Sequence, residues 1–203
     1  MGRKGRILVD GGVYHITARG HNRYRLFHDF NDYKAYKDFI REYKKRFDYY
    51  LFHYCLMPNH IHLLLKILNG NELPGLLQRL NQAYAKHYKR SYGLVGNLFQ
   101  GRYKSTFIDK DSYLLDCGRY IERNPYRAGM VKDPSDYYWS SCKFYTKGEN
   151  DDIITPNPLY LELSQDEIER MRIYHEYILE DRLYENMVDK AMKLQGVPFE
   201  DGT

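Results

Sequence analysis

Cysteine is scarce and poorly placed for cross-linking. The three that occur, Cys55, Cys117 and Cys142, are far apart and odd in number, and none makes a C-x-x-C pair. This excludes a zinc ribbon and a disulfide framework and points to a reducing cytoplasm. No apolar run approaches the roughly 18 residues that a membrane span requires. The N-terminal stretch MGRKGRILVDGG is charged where a secretory leader would be apolar. A soluble cytoplasmic protein without a membrane partner is expected. Internal repeats and low-complexity tracts are lacking, and 203 residues suit one domain with an appended segment.

Net charge is also small, +4, but it is unevenly spread. Residues 1–25 hold six basic groups against Asp10, and residues 76–110 hold seven against Asp109. Residues 149–185 hold eleven acids against three arginines. Two basic segments and an acidic tail fit a polyanion partner, although solvated faces of opposite sign would give the same pattern. Tryptophan occurs once whereas tyrosine occurs 22 times, so composition singles out no one tyrosine. Tyrosine covers apolar surface, stacks on unpaired bases and bonds phosphates.

The alternation of Val13–Ala18 predicts a first strand over about 13–19. Asn31 or Asp32 is a candidate cap for a helix over about 32–47, where Tyr36, Phe39, Ile40 and Tyr43 recur at helical spacing. Residues 49–57 and 60–67 read as strands joined by Pro58-Asn59, hence as an antiparallel hairpin. A second helix is predicted over 73–92, ended by Gly93, and a fourth strand over 100–109. This β-α-β-β-α-β order predicts an α+β fold: a ferredoxin-like antiparallel sheet with both helices on one face. A third helix follows over about 111–124, stopped near Pro125. Residues 147–158 read as a polar linker, and 164–194 as one or two helices opened by the Ser164-x-x-Glu167 capping pattern. The expected division is a catalytic domain over 1–146 and a linker with a helical extension over 147–203.

The sharpest local feature is His60-Ile-His62 after Met57-Pro-Asn59. Residues two apart on a strand face the same side, so His60 and His62 project together while Ile61, Leu63 and Leu65 point into a core. Two imidazoles on one rigid strand suit a divalent metal. A single hydrogen-bonded sheet histidine with an accidental neighbour is the other reading. The H-x-H pair that opens metal-hydrolase barrels does not apply, because the chain is short and lacks βα repeats.

The second feature is Gly118–Val131, GRYIERNPYRAGMV. Tyr120 and Asn124 are four apart and so share one side of the third helix. A tyrosine hydroxyl is a poor nucleophile at its usual pKa near 10 and needs a cation or base beside it. Asn124 could add an amide oxygen to the two histidines. Taken alone, Tyr120 also fits an ordinary packed helix residue.

Together the two features resemble the single-tyrosine HUH transposases, and among them the REP-associated tyrosine transposases. The resemblance rests on His60-Ile-His62 and, about sixty residues on, Tyr120-Ile-x-x-Asn124-Pro-x-Arg127-Ala-Gly129, with Phe99-Gln-Gly-Arg102-Tyr103 between them. It spans about residues 8–145 and leaves the acidic C-terminal segment uncovered. The resemblance implies a ferredoxin-like fold, with His60, His62 and Asn124 as ligands to Mg²⁺ or Mn²⁺. It implies Tyr120 as the nucleophile that cuts single-stranded DNA beside a hairpin and leaves a 5′-phosphotyrosine link. Arg3, Lys4 and Arg6 resemble a basic arm that enters a DNA groove; Arg102 and Arg127 are the further candidates for DNA contact. The implied partner is single-stranded or hairpin DNA, at a nucleoid-associated location, and a homodimer is left open. The competing function is a hairpin-DNA-binding protein of the same fold that has lost or repurposed catalysis.

Overall fold

A computed structural model of the protein describes residues 8–109 and 113–180. The strands are β1 (Val13–Arg19), β2 (Tyr49–Met57), β3 (His60–Ile67) and β4 (Lys104–Ile108). They form one sheet in the order β2-β3-β1-β4 with every pairing antiparallel. The helices are α1 (Phe30–Tyr43), α2 (Leu73–Tyr92), α3 (Leu114–Glu122), α4 (Asn124–Arg127), α5 (Cys142–Lys147), α6 (Pro158–Leu161) and α7 (Glu167–Leu179). The first six elements give the ferredoxin-like arrangement expected from their order.

The alternation of β1 and β3 divides the molecule into two cores. Tyr14, Ile16 and Ala18 join Ile61, Leu63 and Leu65 on one face, under Tyr36 and Ile40 of α1 and Leu76, Leu80 and Tyr84 of α2. The opposite face buries Leu64, Cys55, Phe52 and Met57 beneath Leu114, Cys117, Tyr120 and Ile121 of α3. A bulge between Leu51 and His53 of β2 shifts the alternation by one residue. It turns His53 toward the α3 side while Leu51 and Tyr54 stay in the α1–α2 core.

Several boundaries differ from expectation for local physical reasons. α1 is capped by Asp29, whose carboxylate accepts the Asn31 and Asp32 N–H groups, so the cap is neither of those two residues. It ends at Tyr43 because Lys45 and Arg46 take tighter bonds to Glu42 and Tyr43. β4 begins at Lys104 instead of 100, because Gly101 sits at φ 73° and bends the chain after Phe99 has bridged to Gly20. α3 stops at Glu122, and Pro125 lies in the first turn of α4, which places Asn124 at the start of a new helix. α7 is capped by Asp166, which accepts the Glu169 N–H, while Ser164 accepts the Asp166 N–H. The helix expected to run on to 194 lies outside the described residues beyond 180.

The stretch 147–158, read as a linker, packs against α1 and β2. Asp151 and Asp152 pair with Lys37 and Arg41 of α1, Ile153 and Asn157 are buried, and the Thr155 N–H donates to Leu51 O. Trp139 O accepts the Leu56 N–H and Ser141 N–H donates to Tyr54 O. The free side of edge strand β2 is therefore occupied by later chain segments instead of being left open for pairing.

Candidate active site

The α3-facing side of the sheet carries the histidine pair. His60 and His62 share that side of β3, with ring centroids 4.9 Å apart and planes at 80°. On one flank of β3 lies β2, where Met57 pairs with His60 and Cys55 with His62. On the other lies β1, where Arg19 pairs with His60 and Thr17 with His62. Each imidazole has one nitrogen engaged. His60 Nδ1 lies 2.6 Å from Asn59 Oδ1, an acceptor, so this nitrogen carries the hydrogen and Nε2 keeps its lone pair. His62 Nδ1 lies 2.9 Å from Nε2 of His15 on β1, and the two rings stack at 5.2 Å. Asn59 sets the His60 tautomer and His15 holds the orientation of the His62 ring, in the manner of the groups behind metal-bound histidines.

Tyr120 projects from α3 onto the same cluster. Its ring packs edge-on against His62 at 6.0 Å and against His15 at 5.9 Å. The Arg127 guanidinium lies 5.4 Å from the Tyr120 ring centre. Asn124, one turn on, is buried, and its amide nitrogen donates to Tyr120 O and Ile121 O at 2.9 and 3.1 Å. Both bonds use the amide nitrogen and leave the amide oxygen out of them. Tyr113 and Tyr126, the nearest competitors in sequence, are exposed.

The helix bearing Tyr120 is anchored from behind. Arg119 and Arg123 donate to carbonyls at the C-terminal end of α7, those of Tyr177 and Ile178, and Tyr177 OH donates to Asp116. Glu122 is fully buried and accepts from three donors: His53 Nδ1 at 2.8 Å, Tyr174 OH at 2.8 Å, and Ser141 Oγ. Asn157 Oδ1 accepts the Leu159 N–H, so the amide nitrogen must be the group 2.9 Å from His53 Nε2. His53 accordingly donates through Nδ1. A fully bonded buried network of this kind holds one arrangement of its helices.

The electrostatics suit neutral donor nitrogens. Burial pushes His15 down to about 3. Burial and then the Arg19 charge push His60 down to about 4. His62 is held well below the usual histidine range by burial, with His60, His15 and Arg127 adding to the effect. All three imidazoles are therefore uncharged near neutral pH, as metal ligation requires. Among the described residues no group of three or more His, Cys, Asp or Glu side chains gathers to hold a metal. An ion at this site would rest on two histidines, one amide oxygen, and phosphate or water oxygens, a mixed set that suits Mg²⁺ or Mn²⁺ better than Zn²⁺.

Sequence reasoning singled out His60, His62, Tyr120 and Arg127, which the structure brings together, and Asn124, which is bonded to the α3 backbone one turn beyond Tyr120; it missed His15 and Glu122. Arg102 is exposed on the turn before β4. Arg3, Lys4 and Arg6 lie outside the described residues. A signal for His15 existed in the strand alternation: it shares its side of β1 with Thr17 and Arg19, opposite the apolar Tyr14, Ile16 and Ala18.

Fold and site together define a ferredoxin-like α+β protein with a buried histidine cluster facing a helix-borne tyrosine. The chain belongs to the IS200-like transposase family, whose model matches residues 9–124. A solved REP-associated tyrosine transposase bound to a REP hairpin superimposes with a TM-score of 0.62 at 20% identity, covering 76% of this chain and 92% of that one. A Deinococcus radiodurans R1 protein assigned as a transposase shares 23% identity over 60% of this chain and 97% of its own, with a TM-score of 0.42. No curated protein matches the chain. No helix among the described residues is long and apolar enough to cross a membrane.

Proposed function

We propose that this transposase is a metal-dependent single-strand DNA endonuclease and strand-transferase that acts on hairpin DNA through a 5′-phosphotyrosine link to Tyr120. The observation that carries the reading is the edge-on packing of Tyr120 against His62 and His15. It supports Tyr120 as the nucleophile, because the ring stands beside the strand that bears the candidate ligands. The phenolic oxygen attacks phosphorus, the P–O3′ bond breaks, and the departing oxygen takes a proton while the phenol loses one. The phosphodiester energy is retained in the new P–O bond, so a 3′-hydroxyl from another strand reverses the step and rejoins the DNA without ATP. A Mg²⁺ or Mn²⁺ ion held by His60, His62 and the Asn124 oxygen would supply Lewis acidity at the scissile phosphate.

In this reading Arg127, whose guanidinium lies 5.4 Å from the Tyr120 ring centre, contributes positive charge near the attacked phosphate. Arg102, on its exposed turn, and the basic arm Arg3, Lys4 and Arg6 add sequence-independent phosphate contacts. The related structure bound to a REP hairpin supports hairpin DNA as the substrate class. The test is cleavage of a labelled hairpin with a single-stranded flank, with Mn²⁺ and with chelator. Cleavage that needs the metal supports the reading. Hairpin binding without cleavage under either condition would favour a non-catalytic protein of the same fold.

A further inference from the structure

The histidine face extends beyond the histidines. In an antiparallel sheet directly opposed residues lie on the same side, with Cβ atoms roughly 5 Å apart. His60 opposes Arg19. His62 opposes Thr17, and Thr17 in turn opposes Lys104 of β4. Three neighbouring strands thus present two short rows on one face, His60–Arg19 and His62–Thr17–Lys104. α3 packs over the β2 and β3 half of this face. On the β1 and β4 half, Thr17 and Arg19 are half-buried and Lys104 is exposed. The cations stand one and two strands from the histidines, on the order of 5 and 10 Å away.

No described acid neutralises them. Neither Arg19 nor Lys104 forms an ion pair or side-chain hydrogen bond with a described residue, and Arg19 Nε is buried without a protein partner. Like charge is gathered here instead. Arg19 is lowered by burial and by Arg23, and Lys104 by burial and by Arg19. Arg23 sits on a turn where Asn22 and Arg23 both take positive φ, 47° and 61°. The preceding Gly20 has no room for a side chain, because a Cβ there would lie 2.1 Å from Tyr24 O. The turn thus sets Arg23 close enough to Arg19 for its charge to be felt there.

We propose that Arg19 and Lys104 form a phosphate subsite on the open half of the sheet, which holds the phosphodiester next to the scissile one. The inference rests on the reading of single-stranded DNA as substrate. In it the strand runs from Tyr120 and the histidines across β1 to β4. Guanidinium and ammonium grip a backbone phosphate, Thr17 lies between them on the face, and no base edge is read. The subsite contributes register and affinity in the same measure for every sequence.

A chemical double-mutant cycle tests the inference without requiring catalysis. The full-length protein, in chelator, is titrated with a single-stranded-flanked hairpin bearing either ordinary phosphates or one neutral methylphosphonate next to the cleavage position. The variants are Arg19→Gln/Lys104→Gln and Lys104→Gln alone, the latter at an exposed position where folding is undisturbed. Lys86→Gln/Lys89→Gln on α2, beneath the other face, removes the same formal charge as a control. We expect the methylphosphonate to weaken binding to the wild type and the control but to have little further effect on Arg19→Gln/Lys104→Gln. The magnitude of the log–log salt slope should fall by roughly 1 for each cation removed. An unchanged methylphosphonate penalty in both test variants, or a penalty lost equally in the α2 control, overturns the subsite. Failure of the wild type to bind the DNA at all overturns the substrate reading as well, whereas binding and cleavage without coupling in the cycle overturns the subsite alone.

Discussion

His15 Nε2 lies 2.9 Å from His62 Nδ1, across the β1–β3 pairing and sealed from solvent. Between two neutral imidazoles one nitrogen donates and the other accepts. If His62 binds a cation through Nε2, its Nδ1 carries the hydrogen and His15 accepts. In that state His15 would act as a positioning residue for the His62 ring. Replacing it with alanine should lower Mn²⁺ affinity about 10–100-fold, read by isothermal titration of the full-length protein, while hairpin binding in chelator persists. Unchanged Mn²⁺ affinity would reduce the contact to packing.

The histidine pair itself makes a stricter prediction. His60→Ala and His62→Ala should each abolish measurable Mn²⁺ binding and DNA cleavage, since the proposed set of two nitrogens and one amide oxygen would leave no redundancy. Hairpin affinity in chelator should stay within about twofold of wild type, because phosphate contacts dominate it. Full cleavage by the double variant in chelator would remove these residues from the mechanism.

How much of this was legible beforehand follows from the range of each signal. The bounds expected for β1, β2, β3 and α2 coincide with those observed, because strand alternation, helical spacing and the Gly93 stop act within a few residues. β4 and α3 were drawn too long because Gly101 and Pro125 break the chain inside apolar patterns that otherwise continue. His15 escaped notice because its partner depends on β1 lying beside β3, which is a tertiary fact. Glu122 escaped for the same reason: its donors come from positions 53, 141 and 174. The polar stretch 147–158 read as a linker because the pairing of Asp151 and Asp152 with Lys37 and Arg41 of α1 is likewise set by tertiary contact.

Gly118 tests the anchoring of α3. A Cβ at this position would lie 2.5 Å from His53 Nε2, and Glu122 and Asn157 hold that ring in place. Gly118→Ala should therefore destabilise the protein by about 1–3 kcal/mol despite the better helix propensity of alanine. A melting temperature lower by about 2–4 °C per kcal/mol checks this. A variant as stable as wild type would mean that the His53 ring moves freely.

The basic arm is separable from the sheet face. Replacing Arg3, Lys4 and Arg6 together with alanine should weaken hairpin binding and reduce the magnitude of the salt slope by roughly 0.7–0.9 for each phosphate released. Fluorescence anisotropy across a salt series measures both. If neither changes, the arm does not touch DNA.

The most direct measurement concerns Tyr120. Tyr120→Phe removes one oxygen from a ring packed between His62, His15 and the Arg127 guanidinium, leaving the ring contacts in place. Folding and hairpin binding should be retained. Labelled hairpin DNA is incubated with Mn²⁺ and resolved on a denaturing gel, and the adducted peptide is identified by mass spectrometry. The wild type is expected to give a cleaved strand and a covalent adduct that maps to Tyr120, and Tyr120→Phe to give neither. An adduct that survives in Tyr120→Phe, or that maps to Tyr113, Tyr126 or any other tyrosine, would contradict the account.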